Sequence, residues 1–379
     1  MLKALTFLGL GKYENTTYIK HDESNMYETD LFPIAVAELY GPEKIIAFTT
    51  SKVVDSKQKD LKKLGEVLGE KFTTKDIPDG NSTDELWDIF ARCIEADVIE
   101  ENDEIILDIT HAFRSIPLLI FIVAAYLRQI KQVKLVHIIY GAFEARNQDT
   151  NQTPIFDLTP FVELLDWMNA FTIFQRSGDA SDLAKLNLPN SIENALTNVS
   201  AALLTNRTFE AQETISRFVK MNFNHPESLL RQPVPFQMLT ERLKESYKDI
   251  GVNRPRDEPQ KSLNAQYEQI KWYVVNQHYL QAITLMREWM VSWKCLQLNQ
   301  ENWLNQDSRR SAEDKLNERV NHQDPYNSDF TQLWRQCRDL RNDLAHCGIR
   351  EDPRRSRVAI NATQELFNEF EKFVRQNFT

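Results

Sequence analysis

The sequence is poor in the residues that mark several protein classes. It has 10 glycines and 4 cysteines among 379 residues. The cysteines form no C-x-x-C pair, which favours free thiols in a reducing compartment, so we expect a cytoplasmic protein. The longest apolar run, residues 116–127, is shorter than the ~20 residues that cross a bilayer, so we expect a buried helix there and no membrane segment. The apolar N-terminus has no small-residue cleavage site and is interpreted as a strand.

Motifs for cofactors and metals are incomplete. The segment Gly9-Leu10-Gly11 lacks the third glycine of a dinucleotide-binding fingerprint, which argues against hydride transfer. Cys337, His346 and Cys347 fall short of the four ligands of a zinc site at the usual spacing. Asp339 and Asp343 are interpreted as solvated or paired with neighbouring arginines, not as a two-metal cluster. We therefore expect no metal and no cofactor.

Charge is distributed unevenly along a chain whose composition is that of a globular protein. Hydrophobic residues make up 42% and charged residues 26%, with a net charge of −10. Residues 1–160 hold 17 Lys and Arg against 26 Asp and Glu, whereas residues 261–379 hold 17 against 16, and 12 of those 17 are arginines. The C-terminal part is therefore the better place to bind a polyanion.

The order of strand and helix patterns predicts the fold class. Up to about residue 165, short β-branched runs alternate with helical patterns, which indicates a doubly wound, mostly parallel sheet whose last two strands form a hairpin. Strand patterns then fade, and a proline-rich break lies near residues 250–262. We predict an α/β domain over 1–165, a helical middle over 166–260 and an all-helical domain over 261–379.

Two loops that follow predicted strands have a phosphate-binding composition. The sequence GLGKY follows the first strand, and DITHAFRS follows the strand near residue 105. In an open parallel sheet, ligands bind beyond the carboxyl ends of the strands. The second loop enters a helix through Ser115 and Pro117, where unpaired N–H groups favour an anion. Alternatively, Thr110 and Ser115 only cap the helix and Asp108 only holds the turn.

The segment RNDLAH, residues 341–346, is the second candidate for chemistry. On a helix, Asn342 and His346 share a face, and Arg341 lies roughly 140° from His346. Arginine can clamp a phosphate and histidine can transfer a proton, which suits metal-free RNA cleavage by the 2′-OH. One chain supplies one such histidine, so a twofold homodimer would supply two. The alternative is an ordinary surface helix, because Arg-x4-His alone is a common pattern.

Both candidate stretches resemble known domains. The segments GLGKY, DITHAFRSIP, YGAFEA and DLTPFVELLDW resemble the CARF domain of CRISPR type III accessory proteins. The segment RNDLAH, preceded by the helix QHYLQAITLMREWMVS, resembles the HEPN ribonuclease domain of the same proteins. The two resemblances occur in the same order along the chain, and they are weakest over residues 170–260.

The resemblance implies a function and a set of site residues. A CARF homodimer, or a higher even oligomer, binds a cyclic oligoadenylate as allosteric activator, and HEPN sites then cut single-stranded RNA, without metal, leaving 2′,3′-cyclic phosphate ends. Tetra-adenylate is favoured over hexa-adenylate. The implied catalytic residues are Arg341, Asn342 and His346. The implied ligand-binding residues are Gly9, Gly11, Lys12, Thr110, His111, Arg114 and Ser115.

A second activity and two rival functions remain open at this point. Thr110 or His111 would be the candidates if the CARF domain also cleaved its own ring. The chain could also be a ligand-sensing regulator whose C-terminal domain only holds RNA or a partner. A toxin-type HEPN protein would cut RNA without any cyclic oligoadenylate.

Overall fold

The structure is a computed structural model that describes residues 1–20, 25–111, 116–186, 188–222, 233–299, 302–321, 329–349 and 351–377. It contains two compact units, Met1–Leu165 and Asp166–Thr379. The first is a sheet with helices and the described part of the second is helical, so the expected fold class, α/β followed by all-α, is confirmed.

One mixed sheet organises the first unit. Its strands are β1 (Leu2–Phe7), β2 (Thr16–Ile19), β3 (Met26–Thr29), β4 (Lys44–Thr49), β5 (Phe72–Asp76), β6 (Glu104–Asp108), β7 (Lys134–Gly141) and β8 (Gln152–Asp157). They lie in the order β3-β2-β8-β7-β6-β1-β4-β5. The five strands from β7 to β5 are parallel, and β8 pairs antiparallel with β7, as the predicted hairpin requires.

Helices cover both faces of this sheet. They are α1 (Phe32–Tyr40), α2 (Ser51–Ser56), α3 (Gln58–Leu68), α4 (Thr83–Cys93) and α5 (Ile116–Ile130). Adjacent strand residues point to opposite faces, so Ile45 packs in a core with Phe32 of α1, whereas Ile46 packs in a core with Ile120 of α5. Two separate cores therefore fix the sheet, and its strand ends carry the loops.

The cap of α4 follows a recognisable sequence pattern, whereas the short strands of this unit do not. Ser82 caps α4 by accepting a hydrogen bond from the Glu85 N–H, and the Glu85 carboxylate accepts from the Asn81 N–H, one residue earlier than in a standard capping box. Strands β2 and β3 were not predicted, because four-residue strands of mixed polarity give almost no periodic signal. Strand β5 has only one large apolar residue, Phe72, and gives a similarly weak strand pattern.

The second unit is formed by helices. They are α6 (Thr159–Ser177), which begins in the first unit, α7 (Asn190–Leu204), α8 (Thr208–Lys220), α9 (Pro233–Tyr247), α10 (Pro259–Val275), α11 (Tyr279–Gln297), α12 (Gln306–Asn321), α13 (Asp329–Ala345) and α14 (Ser356–Asn377). The proline-rich break that the sequence predicts lies between α9 and α10. Helix α12 has few apolar residues, so its sequence gives little helical pattern.

Apolar side chains from α6 to α14 pack into one cluster in this unit. Trp289, Trp334 and Phe370 are among its fully buried members. The division of this unit into a helical middle and a separate domain from residue 261 stays a prediction. No helix among the described residues has the length and hydropathy needed to cross a membrane.

Candidate functional site

The carboxyl ends of β1 and β6 meet at the switch point of the sheet. After β1 the chain forms β2 and β3 at the far edge of the sheet, then adds β4 and β5 on one side of β1 and β6 and β7 on the other. In open sheets of this kind, ligands bind beyond the carboxyl ends of the strands where the strand order reverses. The predicted loops GLGKY and DITH are the two that follow β1 and β6, so the fold brings Gly9, Gly11, Lys12, Thr110 and His111 to one end of the sheet. We call this region the β1/β6 site.

Gly9 allows the two loops to touch. A Cβ atom at position 9 would lie 2.8 Å from the carbonyl oxygen of His111, closer than side chains approach. The Tyr13 hydroxyl accepts from the Gly9 N–H at 3.1 Å and donates to the Gly9 carbonyl at 2.7 Å. The Tyr13 ring packs on the His111 ring, with centroids 4.6 Å apart. Gly11, in contrast, has open space around it. A glycine at position 9 is therefore a packing requirement, whereas position 11 is free to face a ligand.

A buried carboxylate holds the turn after β6. Asp108 accepts from the Thr6 hydroxyl at 2.6 Å and from the Thr110 N–H at 2.8 Å. Burial raises the pKa of the Asp108 carboxyl to about 6, although these hydrogen bonds lower it. The Thr110 hydroxyl accepts from the Gly141 N–H at 2.9 Å, which ties the turn to β7. Asp108 thus holds the turn, as the alternative considered from the sequence proposed, whereas the Thr110 hydroxyl is hydrogen-bonded to β7 and was expected there to cap a helix.

His111 differs from Thr110 because its ring has an unsatisfied nitrogen. The Nε2 atom is buried and has no hydrogen-bond partner within the described part of the chain. Burial, with a smaller contribution from the Lys57 ammonium, lowers the pKa of His111 to about 4. The ring is therefore neutral at physiological pH. It can donate a hydrogen bond to a ligand or accept one from it, but it brings no positive charge.

Lys57 brings an ammonium group to this site, although no sequence pattern pointed to it, and this group also lies 3.6 Å from the Asp60 carboxylate. Its ammonium group donates to the Gly11 carbonyl at 2.6 Å and lies 4.3 Å from the centre of the Tyr13 ring. Lys12, which was selected, is exposed and pairs with Glu14 at 3.4 Å. Lys57 lies at the start of α3, beyond β4, so only the pairing of β4 with β1 brings it close.

Two predicted ligand-binding residues, Arg114 and Ser115, lie outside the described residues. Helix α5 starts immediately after them, at Ile116, with Pro117 as its second residue. A proline at the start of a helix was expected, because the first N–H groups of a helix have no partner within it.

The predicted catalytic residues lie at the C-terminal end of α13. The helix ends at Ala345, and His346 follows it, with its N–H still donating to the Asn342 carbonyl at 3.1 Å. Cys347 and Gly348 then take positive φ angles of 57° and 67°, which turns the chain away. Asn342 and His346 therefore remain on adjacent turns and are both exposed, although His346 lies one residue past the helix. We call Arg341, Asn342 and His346 the α13 site.

None of these three side chains makes a hydrogen bond or ion pair with another described residue. The Nε atom of Arg341 is buried without a partner. The two nearby aspartates, in contrast, have ion-pair partners. Asp339 pairs with Arg338 at 3.1 Å, and the buried Asp343 lies 3.9 Å from Arg354. The predicted pairing of these aspartates with arginines is thus present, but Asp343 is buried and not solvated.

Ion pairs from α11 and α12 lie beside α13. Arg287 pairs with Glu288 and Glu313, and lies 5.5 Å from the centre of the Trp334 ring. Burial raises the pKa of the Cys337 thiol to about 12, in spite of the nearby Arg287 and Arg341 guanidinium groups, so this cysteine stays a thiol. Within the described ranges, no three His, Cys, Asp or Glu side chains come together as metal ligands.

Comparisons with known proteins bear on the N-terminal part of the chain. Residues 3–144 match the family described as "CRISPR system endoribonuclease Csx1, CARF domain". A 175-residue segment, 42% of this chain, is 31% identical to the CRISPR-associated protein MJ1674 of Methanocaldococcus jannaschii and spans 27% of that protein's length. Residues 3–144 therefore match the CARF domain family that the N-terminal resemblance predicted.

A solved structure is similar over most of the chain. It is Enterococcus italicus Csm6 bound to cyclic hexa-2′-fluoro-hexa-dAMP, with 12% identity and a TM-score of 0.46, covering 98% of this chain and 95% of that one. A TM-score of this size does not establish a shared fold. The assignment of the C-terminal helices to a HEPN domain stays a prediction.

Proposed function

We propose that the protein is a cyclic oligoadenylate-activated, metal-independent endoribonuclease that cuts single-stranded RNA in type III CRISPR defence. The observation that carries the proposal is the presence, in one chain, of a CARF domain over residues 3–144 and an Arg-x4-His motif whose side chains have no partner within the described residues. The CARF domain would sense the activator, and the Arg-x4-His motif would cut the RNA.

The β1/β6 site suits a ligand that combines phosphates with bases. Lys57 supplies a cation, Gly11 leaves the backbone open, and the neutral His111 supplies a hydrogen-bonding ring. Arg114 and Ser115 add donors from the sequence. Tetra-adenylate is the activator that we propose, with hexa-adenylate as the alternative. Because Thr110 is held by Asp108 and Gly141, we propose that His111, not Thr110, is the group to test if the ring is cleaved here.

The α13 site suits cleavage by the 2′-OH of the substrate. A guanidinium group at Arg341 would hold the scissile phosphate and stabilise the charge that develops on it. His346, exposed at the end of the helix, can move a proton at neutral pH. Asn342 would position the phosphate or the ribose. The reaction needs both an acid and a base, and one chain offers one histidine, so we propose a composite site from two chains.

An apolar helix face supports a homodimer of the CARF domain. Leu118, Ile122, Tyr126 and Ile130 recur every fourth residue on α5 and are 69%, 51%, 41% and 59% exposed. We call them the α5 face. Exposed apolar stripes of this kind mark interfaces, and a surface without charge suits an identical surface in a second copy. Helix α5 also begins just after the DITHAFRS sequence, so a twofold axis beside α5 would bring the β1/β6 sites of two chains towards one ring.

The α5 face can be tested by charge. Ile122→Glu should convert a dimer to a monomer and abolish ring-dependent cleavage, because two carboxylates would be buried face to face. Val67→Glu, on α3 at a similarly exposed position, is the control. Sedimentation of both variants decides the question, and an unchanged mass for Ile122→Glu would rule out this face.

RNA cleavage by the purified protein in EDTA, with rings of three to six adenylates, tests the function as a whole. We expect cleavage with one ring size, products with 2′,3′-cyclic phosphate ends, and no cleavage without a ring. Cleavage without any ring would favour the toxin-type alternative. Ring binding without cleavage would favour the ligand-sensing regulator. Strict Mg²⁺ dependence with 5′-phosphate products would reject the mechanism.

A further inference from the structure

A cavity of about 390 Å³ lies between helices of the second unit, apart from the α13 site residues. It is large enough for one nucleotide, since small-molecule pockets start near ~300 Å³. Its lining comes from the start of α8, the loop before α10, α10 itself, α11 and the start of α12. We call it the α8/α11 cavity.

Two arginines, Arg256 and Arg309, and the Glu288 carboxylate line the cavity. Arg309 donates to the Ser292 hydroxyl at 2.9 Å and to the Glu288 carboxylate at 2.7 Å, so its guanidinium is held in place. Glu288 also pairs with Arg287, so its negative charge is shared between two arginines. Arg256 is exposed and has no carboxylate partner among the described residues, which leaves its guanidinium available for an anion.

An aromatic ring, Phe209, lies beside Arg256 in the lining. The Arg256 guanidinium lies 5.1 Å from the centre of the Phe209 ring. Trp303 packs edge-on against Phe209 at 5.7 Å, and its Nε1–H donates to the Arg256 carbonyl at 3.4 Å. The planar group and the ring therefore have a defined geometry before any ligand arrives. Stacked arginine and aromatic groups are the usual contacts of single-stranded nucleic acid.

The rest of the lining mixes polar side chains with Leu285 and Leu304. The Thr208 hydroxyl donates to Gln269 at 2.8 Å, and Gln266 donates to the Ser262 hydroxyl at 3.2 Å. Asn206 has a positive φ of 55°, and its Oδ1 is buried without a hydrogen-bond partner among the described residues. Buried polar groups normally have a hydrogen-bond partner, and a donor on a bound molecule would supply one to the Asn206 Oδ1 atom.

We infer that the α8/α11 cavity binds one nucleotide unit of the single-stranded RNA substrate, with the phosphate at Arg256 and Arg309 and the base or ribose against Phe209 and Asn206. This inference rests on the proposed ribonuclease function and adds to it a substrate-holding position that is separate from the cutting residues. The shared chemistry, a nucleoside phosphate, could also come from a free nucleotide, and the experiment separates the two sources.

RNA binding is measured in a His346→Ala background, so that the RNA stays intact and binding does not depend on cleavage. The probe is a labelled single strand of about ten nucleotides, within the span of known single-strand sites. Arg256→Ala should weaken its affinity about tenfold, as the loss of one charge-assisted contact does. The plot of log K for RNA binding against the logarithm of the salt concentration should also become less steep, with a slope smaller by about 0.7. Arg256→Lys should recover part of the affinity because it keeps the charge.

Arg254→Ala is the matched control, because Arg254 is exposed in the same loop and does not line the cavity. Equal affinities of the Arg256→Ala and Arg254→Ala variants for RNA would overturn the inference and leave the proposed function intact. Calorimetry with AMP is the second arm. Arg256-dependent AMP binding without an effect on RNA would overturn the assignment to RNA. Ring-dependent cleavage measured in the protein with an intact His346 tells whether the proposed function itself has failed.

Discussion

The β1/β6 site and the α13 site differ in how far one chain completes them. In the first, Gly9, Tyr13, Thr110 and Lys57 are held by hydrogen bonds to one another or to neighbouring strands. In the second, the side chains of Arg341, Asn342 and His346 lie at a helix end and form no hydrogen bonds or ion pairs with other described residues. A preorganised site can bind a ligand without rearrangement. This difference agrees with our proposal that the first site senses the activator and that the second is completed by another chain.

The largest effect is expected from His346→Ala. Removing a general acid or base lowers cleavage by ~10²–10⁴-fold. Ring binding should be unchanged, because His346 lies in the other unit. Calorimetry with the ring and a fluorescent RNA assay measure the two properties on one preparation. Loss of ring binding in this variant would undo the separation of the two sites.

Mixed dimers test whether the α13 site is shared. Wild-type chains are mixed in equal amounts with Arg341→Ala/His346→Ala chains. If both chains contribute to each site, only wild-type homodimers stay fully active, about a quarter of the population by random pairing. Activity at half of the unmixed value or above would mean that each chain cuts alone.

The pH dependence of the unfolding free energy tests whether the Asp108 carboxyl is buried at the β1/β6 site. Its folded pKa, about 6, is above the ordinary value of 3.8, so the folded protein binds more protons between these two values. The contribution of Asp108 to the unfolding free energy is therefore fully present below pH 4 and lost as pH rises through 6. The loss is about 3 kcal/mol for a shift of about two pKa units.

The measurement compares urea unfolding of the wild type and Asp108→Asn at pH 4 and pH 7. The wild type should lose stability relative to the variant as pH rises. The neighbouring His111 acts in the opposite sense, because its pKa is lowered, so its contribution is lost as pH falls through about 4. Taking the difference between the two proteins removes this contribution. A difference that does not change with pH would show that Asp108 is solvated.

Gly9 and Gly11 provide the smallest and most local test. Gly9→Ala places a Cβ against the His111 carbonyl, so the two loops must separate, at a cost of ~1–3 kcal/mol of unfolding free energy. Gly11→Ala meets nothing within 4 Å and should change stability by less than ~0.5 kcal/mol. Denaturant midpoints of the two variants give the comparison, and equal midpoints would mean that the loops are not in contact.

Sequence reasoning found the sites best where a local pattern carries them. Gly9, Thr110 and His111 follow strands with strong apolar patterns, and strand ends locate a site in this kind of sheet. Lys57 was missed because its role depends on the pairing of β4 with β1, between residues far apart in sequence. The structural role of Thr110 likewise depends on Gly141 across the sheet. Arg341 and His346 were selected from their spacing together with the HEPN resemblance, and the absence of side-chain partners for them among the described residues is visible only in three dimensions.

The central claim is that ligand binding at the first site controls cutting at the second. The most direct measurement is the rate of RNA cleavage against ring concentration, in EDTA, for the wild type, Gly11→Phe and the control Gly65→Phe. Both glycines have open space around them, but only Gly11 lies at the β1/β6 site. The account predicts that Gly11→Phe shifts the curve to ring concentrations at least about tenfold higher with a similar maximum rate, whereas Gly65→Phe follows the wild type. Coincident curves for all three proteins, or cleavage that needs no ring, would contradict it.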